Sequence, residues 1–246
     1  MKVASDIIET GSKTITGGDN LAIQGFAVKG VYSGTGSVGK SIELISGYDS
    51  SVKMAAVGYN LTDTSLGSTY GGDLTFHTQP LYSSPTTPLP ERMRISSAGY
   101  VTIPQQPAFS MYINNNQLSA SYNSGTQTMP FGETNTNIGS HFKTSGSDQY
   151  KFVVPVAGQY FFALSQNHTA RVDTRIMKNN DTFHGGENEI PMDETDGQWH
   201  HHTLTCVMTC AVGDKVYCTT NNQDGGGTYR AWNGGSWDNF SGFLIG

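Results

Sequence analysis

Three consecutive histidines, His200, His201 and His202, are the densest group of metal-capable side chains in the sequence. In an extended strand His200 and His202 share one face. Neutral imidazole nitrogens bind transition metals, and two rings from each of three chains on a common axis would fill an octahedral site. His200 and His202 are therefore the candidate metal ligands; the alternative is a polar strand start facing solvent. Glu187, Glu189, Asp193, Glu194 and Asp196 crowd the stretch GGENEIPMDETDG. Carboxylates suit calcium, but their spacing matches no EF-hand loop, so a solvated acidic loop is the preferred reading.

Residues 34–41 read GTGSVGKS, a literal match to the phosphate-binding pattern G-x-x-x-x-G-K-[ST]. That pattern works only between a strand and a long helix, whose first amides hold the phosphates. Here IELIS meets Gly47 before a helix could form, which favours a glycine-rich turn over a nucleotide site. The stretch DGGGTYRAWNGGSWDN (224–239) sets Tyr229, Arg230, Trp232 and Trp237 among glycines. Aromatic and Arg side chains on loops are what binding surfaces use, and Trp faces stack on sugars. These four are the candidate receptor-binding residues; the competing reading packs Trp232 or Trp237 back on the fold or on a neighbouring subunit. No nucleophile-elbow pattern and no catalytic dyad is found, so the chain reads as a non-enzyme.

The elements that must carry these groups are β-strands. The chain has 246 residues, enough for one or two domains. It has 30 glycines, 14% charged residues and 11% aromatics. Low charge with many aromatics provides apolar area to bury and argues against disorder. No apolar run approaches the roughly 20 residues of a membrane-spanning helix. The net charge of −6 gives no electrostatic footprint for nucleic acid. The first twenty residues lack the apolar core of a secretory signal, and three cysteines, an odd number, fit a reducing compartment.

Short alternating runs broken by Gly, Asn, Ser and Asp recur throughout, the pattern of strands and turns. Residues 1–20 read as an attachment arm. Residues 21–103 read as a β-rich stem with strands over 21–32, 41–46, 52–59, 73–78, 91–95 and 99–103. Many of these carry small or polar residues on both faces and would gain from packing copies of several chains together. IPQQP marks a stiff linker over 104–107. Residues 108–246 are richer in aromatics, with strands expected at 108–113, 118–120, 149–156, 158–166, 171–178, 203–211, 215–221 and 239–245, enough for a two-sheet jelly roll.

Four segments of this second half stand in a recognisable order: FVVPVAGQYFFALSQ (152–166), RIMKNN (175–180), TCAVGDKVYC (209–218) and FSGFLIG (240–246). Together they resemble the globular head domain of the complement C1q family, within the tumour-necrosis-factor-like jelly rolls. The resemblance implies an all-β, ten-stranded jelly-roll sandwich that assembles as a homotrimer, binds through outer loops and is not an enzyme. Within it Phe152, Tyr160, Phe162 and Phe240 are expected in the core, Phe240 and Phe243 at the core and subunit seam, Gly158 at a sharp turn, and Cys206, Cys210 and Cys218 as small buried apolar groups. In the first half, GGDLTFHTQP (71–80) and ERMRISSAGYVTIP (91–104) resemble a segment of phage tail-fibre proteins.

The two resemblances combine into an expectation: a trimeric phage virion protein, made in the host cytoplasm, with its N-terminus on other virion proteins and its head on a host-surface glycan or protein. The alternative is a capsid-decorating head-fibre protein that stabilises the shell without binding a receptor. No cofactor is required beyond a transition metal on the trimer axis.

Overall fold

The structure, a computed structural model, describes residues 42–45, 53–61, 71–80, 89–113, 125–168, 172–187, 200–222 and 238–246. The expected arm at 1–20, the GTGSVGKS stretch, and the strands expected at 21–32 and 118–120 lie outside them. The chain divides into two compact units, Met1–Tyr100 and Val101–Gly246.

The first unit is built on an antiparallel meander. β1 (Ile42–Ile45), β2 (Lys53–Leu61), β3 (Gly72–Thr78) and β4 (Glu91–Ile95) pair in chain order, and the two-residue β5 (Val101–Thr102) opens the second unit. Residues 42–45, immediately after GTGSVGKS, are a strand, so the helix that a phosphate-binding loop requires does not start there. Register sets Val57 opposite Phe76 and Phe76 opposite Met93, and likewise Tyr59 opposite Leu74 and Leu74 opposite Ile95. Because strand side chains alternate, these six share one face, while Ala56, Gly58, Asp73 and Thr75 occupy the other.

The second unit is a sandwich of two antiparallel sheets. Its strands are β6 (Ala108–Tyr112), β7 (Gly125–Thr128), β8 (Glu133–Asn137), β9 (Phe142–Lys143), β10 (Lys151–Val153), β11 (Gly158–His168), β12 (Val172–Lys178), β13 (Asp181–Glu187), β14 (His200–Cys210), β15 (Lys215–Asn222) and β16 (Asn239–Leu244). One sheet runs β13-β12-β15-β10-β9 with β7 also on β15; the other runs β14-β11-β16-β6-β8. Among the described residues the sheets therefore hold six and five strands where ten were expected, because short polar pieces such as ETNTN of β8 pair without any apolar alternation to announce them.

Alternation fills the space between the sheets. Tyr160, Phe162 and Leu164 of β11, Leu204, Met208 and Cys210 of β14, and Phe240 of β16 face Phe152, Val216, Cys218 and Ile176 of the opposite sheet, all buried. The centre is aromatic: the Phe109 ring stacks on Phe152 at 4.7 Å and meets Phe240 edge-on at 5.0 Å. Offset and edge-to-face arrangements suit the ring quadrupoles and add to the area each ring buries.

Two local expectations are corrected. Gly158 makes no turn: it is the first residue of β11, and a side chain there would meet Leu244 Cδ1 at 2.8 Å and the Gly246 carbonyl at 3.0 Å, so its small size serves close approach of the chain end. IPQQP is not an extended linker. The Gln106 N–H donates to the Ile103 carbonyl at 3.0 Å with Pro104 at the position that prefers its fixed φ, and the Leu244 N–H donates to the Pro107 carbonyl at 3.0 Å.

Candidate functional site

The two sheets of the second unit turn very different outer faces outward. On the β12–β15 sheet, Asp173 pairs with Arg175, Lys215 Nζ lies 2.6 Å from Asp148 Oδ1, and Lys151 Nζ sits 5.1 Å from the centre of the Tyr217 ring. This face carries ion pairs, although Asp173, Tyr217 and Thr219 on it are themselves buried. On the other sheet, odd-numbered residues face out. β11 contributes Gln159, Phe161, Ala163 and Ser165, and β14 contributes His201, Thr203, Thr205, Val207 and Thr209; Asn239, Ser241 and Phe243 follow on β16. None is Asp, Glu, Lys or Arg.

Register orders this face into rows. Val207, Phe161, Phe243 and Ala108 form one, Thr205, Ala163, Ser241 and Ser110 the next, and Thr203, Ser165, Asn239 and Tyr112 the third. The first row is apolar and open: Val207 is 52% and Phe243 47% exposed, with the Phe161 and Phe243 rings 5.4 Å apart. Glu133 of β8, opposite Tyr112, sets a charge at the edge of this face, and the uncharged, half-apolar centre over β14, β11 and β16 is what a subunit interface presents, its core poor in charge and rich in aromatics.

At the other end of the face Ser165 Oγ and His201 Nε2 are 2.7 Å apart. No carboxylate hydrogen-bonds that imidazole among the described residues, so nothing there completes a triad. The thiols are poor nucleophiles as well. Burial pushes Cys206 and Cys210 up to about 11 and raises Cys218 too. All three cysteines are free.

The sequence-derived site residues separate into three groups. Phe152, Tyr160, Phe162 and Phe240 lie in the core, each 1% exposed or less, while Phe243 lies on the outer face. His200 and His202 stand on β14 opposite His168 and Gln166, and their side chains lie outside the described residues. Tyr229, Arg230, Trp232 and Trp237 also lie outside them, as do Glu189, Asp193, Glu194 and Asp196. Among the described residues no group of three His, Cys, Asp or Glu side chains could hold a metal, and no helix is long and apolar enough to cross a membrane. Sequence reasoning missed Phe161, Val207 and the Ser165–His201 pair. The signal was present: the residues that alternate with Leu204, Met208 and Cys210 must point out, and they carry no charge.

A search of solved structures matches the globular domain of the zebrafish complement 1qA protein, at 19% identity, covering 57% of this chain and 98% of that one with a TM-score of 0.41. No curated protein sequence matches the chain. The family model for the C1q domain matches residues 108–245, which is the two-sheet unit from β6 to the chain end. The chain belongs to the C1q domain family, whose members are typically homotrimeric binding modules and not enzymes.

Proposed function

We propose that the chain is a homotrimeric phage virion protein, a fibre or spike whose C1q head attaches to a host surface. The observation that carries the trimer is the contrast between the two outer faces. The β12–β15 sheet carries the Asp173–Arg175 and Lys215–Asp148 ion pairs, whereas β14, β11 and β16 expose the uncharged row of Val207, Phe161 and Phe243. Burying that row against two further copies removes apolar area from water without desolvating a charge.

The phage setting is supported by the tail-fibre resemblance of residues 71–80 and 91–104, which fall on β3, β4 and β5. In this reading residues 1–20 dock on other virion proteins. Tyr229, Arg230, Trp232 and Trp237 contact a host glycan or protein; His200 and His202 fall in register step with Leu204 and Met208 and not with the outward His201 and Thr203, which does not favour a metal on the three-fold axis. Three weak sites on one rigid trimer, repeated around the particle, bind by avidity without a tight single contact.

The test combines native mass spectrometry and adsorption of the labelled protein to bacterial cells. A mass three times the 26.5 kDa of one chain is expected, together with adsorption that the Trp232→Ala change weakens. A single-copy mass overturns the trimer. A trimer that adsorbs to no cell overturns host attachment and leaves the decoration role.

A further inference from the structure

One place in the second unit carries a charge opposite to that of the chain. The chain has 20 acidic against 14 basic residues, yet three lysines meet on the outer face of β9, β10 and β15. Register sets Lys143 directly opposite Lys151, and their neighbours Phe142 and Phe152 are buried on the inner side. Lys215 stands opposite Val153, diagonal to Lys151, and faces out because its neighbour Val216 is buried. One carboxylate answers them: Asp148 Oδ1 lies 2.6 Å from Lys215 Nζ. Lys215 first, and then Lys151 and Lys143, hold the Asp148 carboxyl below the ordinary carboxylate range, so all three ammonium groups bear on it. Farther along the sheet Arg175 and Asp173 pair with each other and add no net charge. Like charges directly opposite on a ladder destabilise it, and the backbone that sets them there is strained. Ser140 and Tyr150 both have left-handed φ, +55° and +65°, a region that neither residue type favours. The Ser140 carbonyl accepts from Lys143 Nζ at 2.8 Å, and the Tyr150 N–H donates to the Lys143 carbonyl at 2.6 Å.

We propose that Lys143, Lys151 and Lys215 form an anion site that takes the phosphate groups of a cell-surface polymer, with Asp148 as the internal counter-ion that weakens it. The lysines have donors to give. An ammonium carries three N–H groups. Lys215 pairs with Asp148, Lys143 donates one to the Ser140 carbonyl, and Lys151 Nζ lies 5.1 Å from the centre of the Tyr217 ring. Three ammonium groups against one carboxylate leave the place positive, and phosphate oxygens are what such point charges hold. The chain as a whole carries −6. A nucleic acid, charged at every step along its length, is repelled beyond so small a patch, whereas a polymer with separated phosphates is not. The site lies within one chain and does not depend on the trimer. It rests on the host-attachment reading only for the source of the polymer.

The test is calorimetry of the full chain with a short poly(glycerol phosphate), beside an oligodeoxythymidylate of equal charge. The expected result is binding of the glycerol polymer that weakens as salt rises and exceeds binding of the oligonucleotide. Lys143→Gln and Lys151→Gln should each weaken it about fivefold, and Asp148→Asn should tighten it by about the same factor. That gain guards against a folding defect, because a damaged site loses affinity. Lys53→Gln removes the same charge from β2 and should change nothing. No binding by the unchanged chain overturns the site, as does binding that the two lysine changes leave intact or that Asp148→Asn weakens. An oligonucleotide bound as tightly overturns the choice of polymer. Adsorption to bacterial cells separates this inference from the attachment reading. Cells that adsorb the chain while calorimetry shows no binding overturn this site alone; calorimetric binding without adsorption to any cell overturns attachment and leaves the anion site standing.

Discussion

Gly242 stands directly opposite Phe162 in the β11–β16 ladder, and a methyl group on it would lie 2.6 Å from Phe162 Cδ1 and 2.8 Å from Phe109 Cε1. Phe162 is fully buried and stacks on Phe240 at 6.0 Å, so its ring has no free volume into which to retreat. The first glycine of FSGFLIG is therefore a matter of space and not of backbone conformation. Gly242→Ala is expected to destabilise the second unit by about 1–3 kcal/mol, the usual cost of overpacking a filled core. Gly213→Ala, at φ +86° with no atom within 4 Å, should cost only the milder left-handed strain, about 1 kcal/mol. Urea unfolding of the two variants would test the order; equal costs would mean that the Phe162 ring moves aside freely.

Phe240 and Phe243 lie three residues apart and do opposite work. Phe240 is fully buried, so Phe240→Ala opens a core cavity and should cost about 3–5 kcal/mol. Phe243 is 47% exposed, so Phe243→Glu should leave the thermal unfolding of a single chain nearly unchanged while weakening self-association of the head. Sedimentation against concentration separates the two effects. A Phe243→Glu head that associates as before would place the subunit seam elsewhere.

The interior of the sandwich becomes polar toward the ends of β11, β12 and β15. Thr174 Oγ1 donates to Gln166 Oε1 at 2.7 Å, but Gln166 Nε2 and the Thr220 hydroxyl, both buried, have no hydrogen-bond partner among the described residues. Removing a satisfied group and removing an unsatisfied one should have opposite signs. Thr174→Val strands the Gln166 amide entirely and should destabilise by about 1–3 kcal/mol. Thr220→Val deletes a hydroxyl already unpaired in a shape that valine matches, and should be neutral or stabilising by about 1 kcal/mol. Destabilisation by Thr220→Val in chemical denaturation would point to a bound water held by that hydroxyl.

These contrasts show what period-two patterning could and could not reveal. Strands β11 and β14 were legible over 158–166 and 203–211, because Tyr160, Phe162 and Leu164 alternate along the one and Leu204, Cys206, Met208 and Cys210 along the other. β13 was not: DTFHGGE has a glycine pair and charges at both ends, and it forms because β12 offers it a ladder. In the first unit, strand positions were legible but the closed face was not. Asp73 is buried because Arg94, twenty-one residues later, reaches it, and no local pattern encodes that meeting. The outer face of β14 was written in the sequence as the complement of its buried positions, whereas the aromatic stretch at 224–239 has no strand period to read.

The cysteines give an independent check on that inner face. Burial holds Cys206 and Cys210 at about 11 and raises Cys218, so little thiolate exists near neutrality. Labelling by a disulfide reagent at pH 8 should be slow in the folded chain and rise to three thiols per chain only in denaturant. Prompt labelling of Cys210 or Cys218 under native conditions would show that the sandwich opens more readily than its packing implies.

The turn between β14 and β15 should make the fold sensitive to acid in a way one residue can report. Asp214 Oδ2 accepts from the Ala211 N–H at 2.9 Å, and its Oδ1 accepts from Asn179 Nδ2 at 3.1 Å. Asn179 in turn accepts from the Lys215 N–H at 3.0 Å, which locks this turn to the β12–β13 hairpin. The Ala211 amide first, and then the Asn179 side chain, hold the Asp214 carboxyl below the ordinary carboxylate range. A folded pKa below the unfolded one means stability fully present above the unfolded value, near 4, and lost as pH falls through the folded value. Asp148 shifts the same way through Lys215, so the acid limb has more than one source. Asp214→Asn keeps the shape but replaces one acceptor oxygen with a donor, which should cost about 1 kcal/mol at pH 7. At a pH below the folded value the native Asp214 is itself protonated, so the gap between the two proteins should narrow. Urea unfolding at pH 7 and at successively lower pH follows the gap, and a gap that never narrows before the fold is lost would mean that the charge on Asp214 contributes nothing to holding the two turns together.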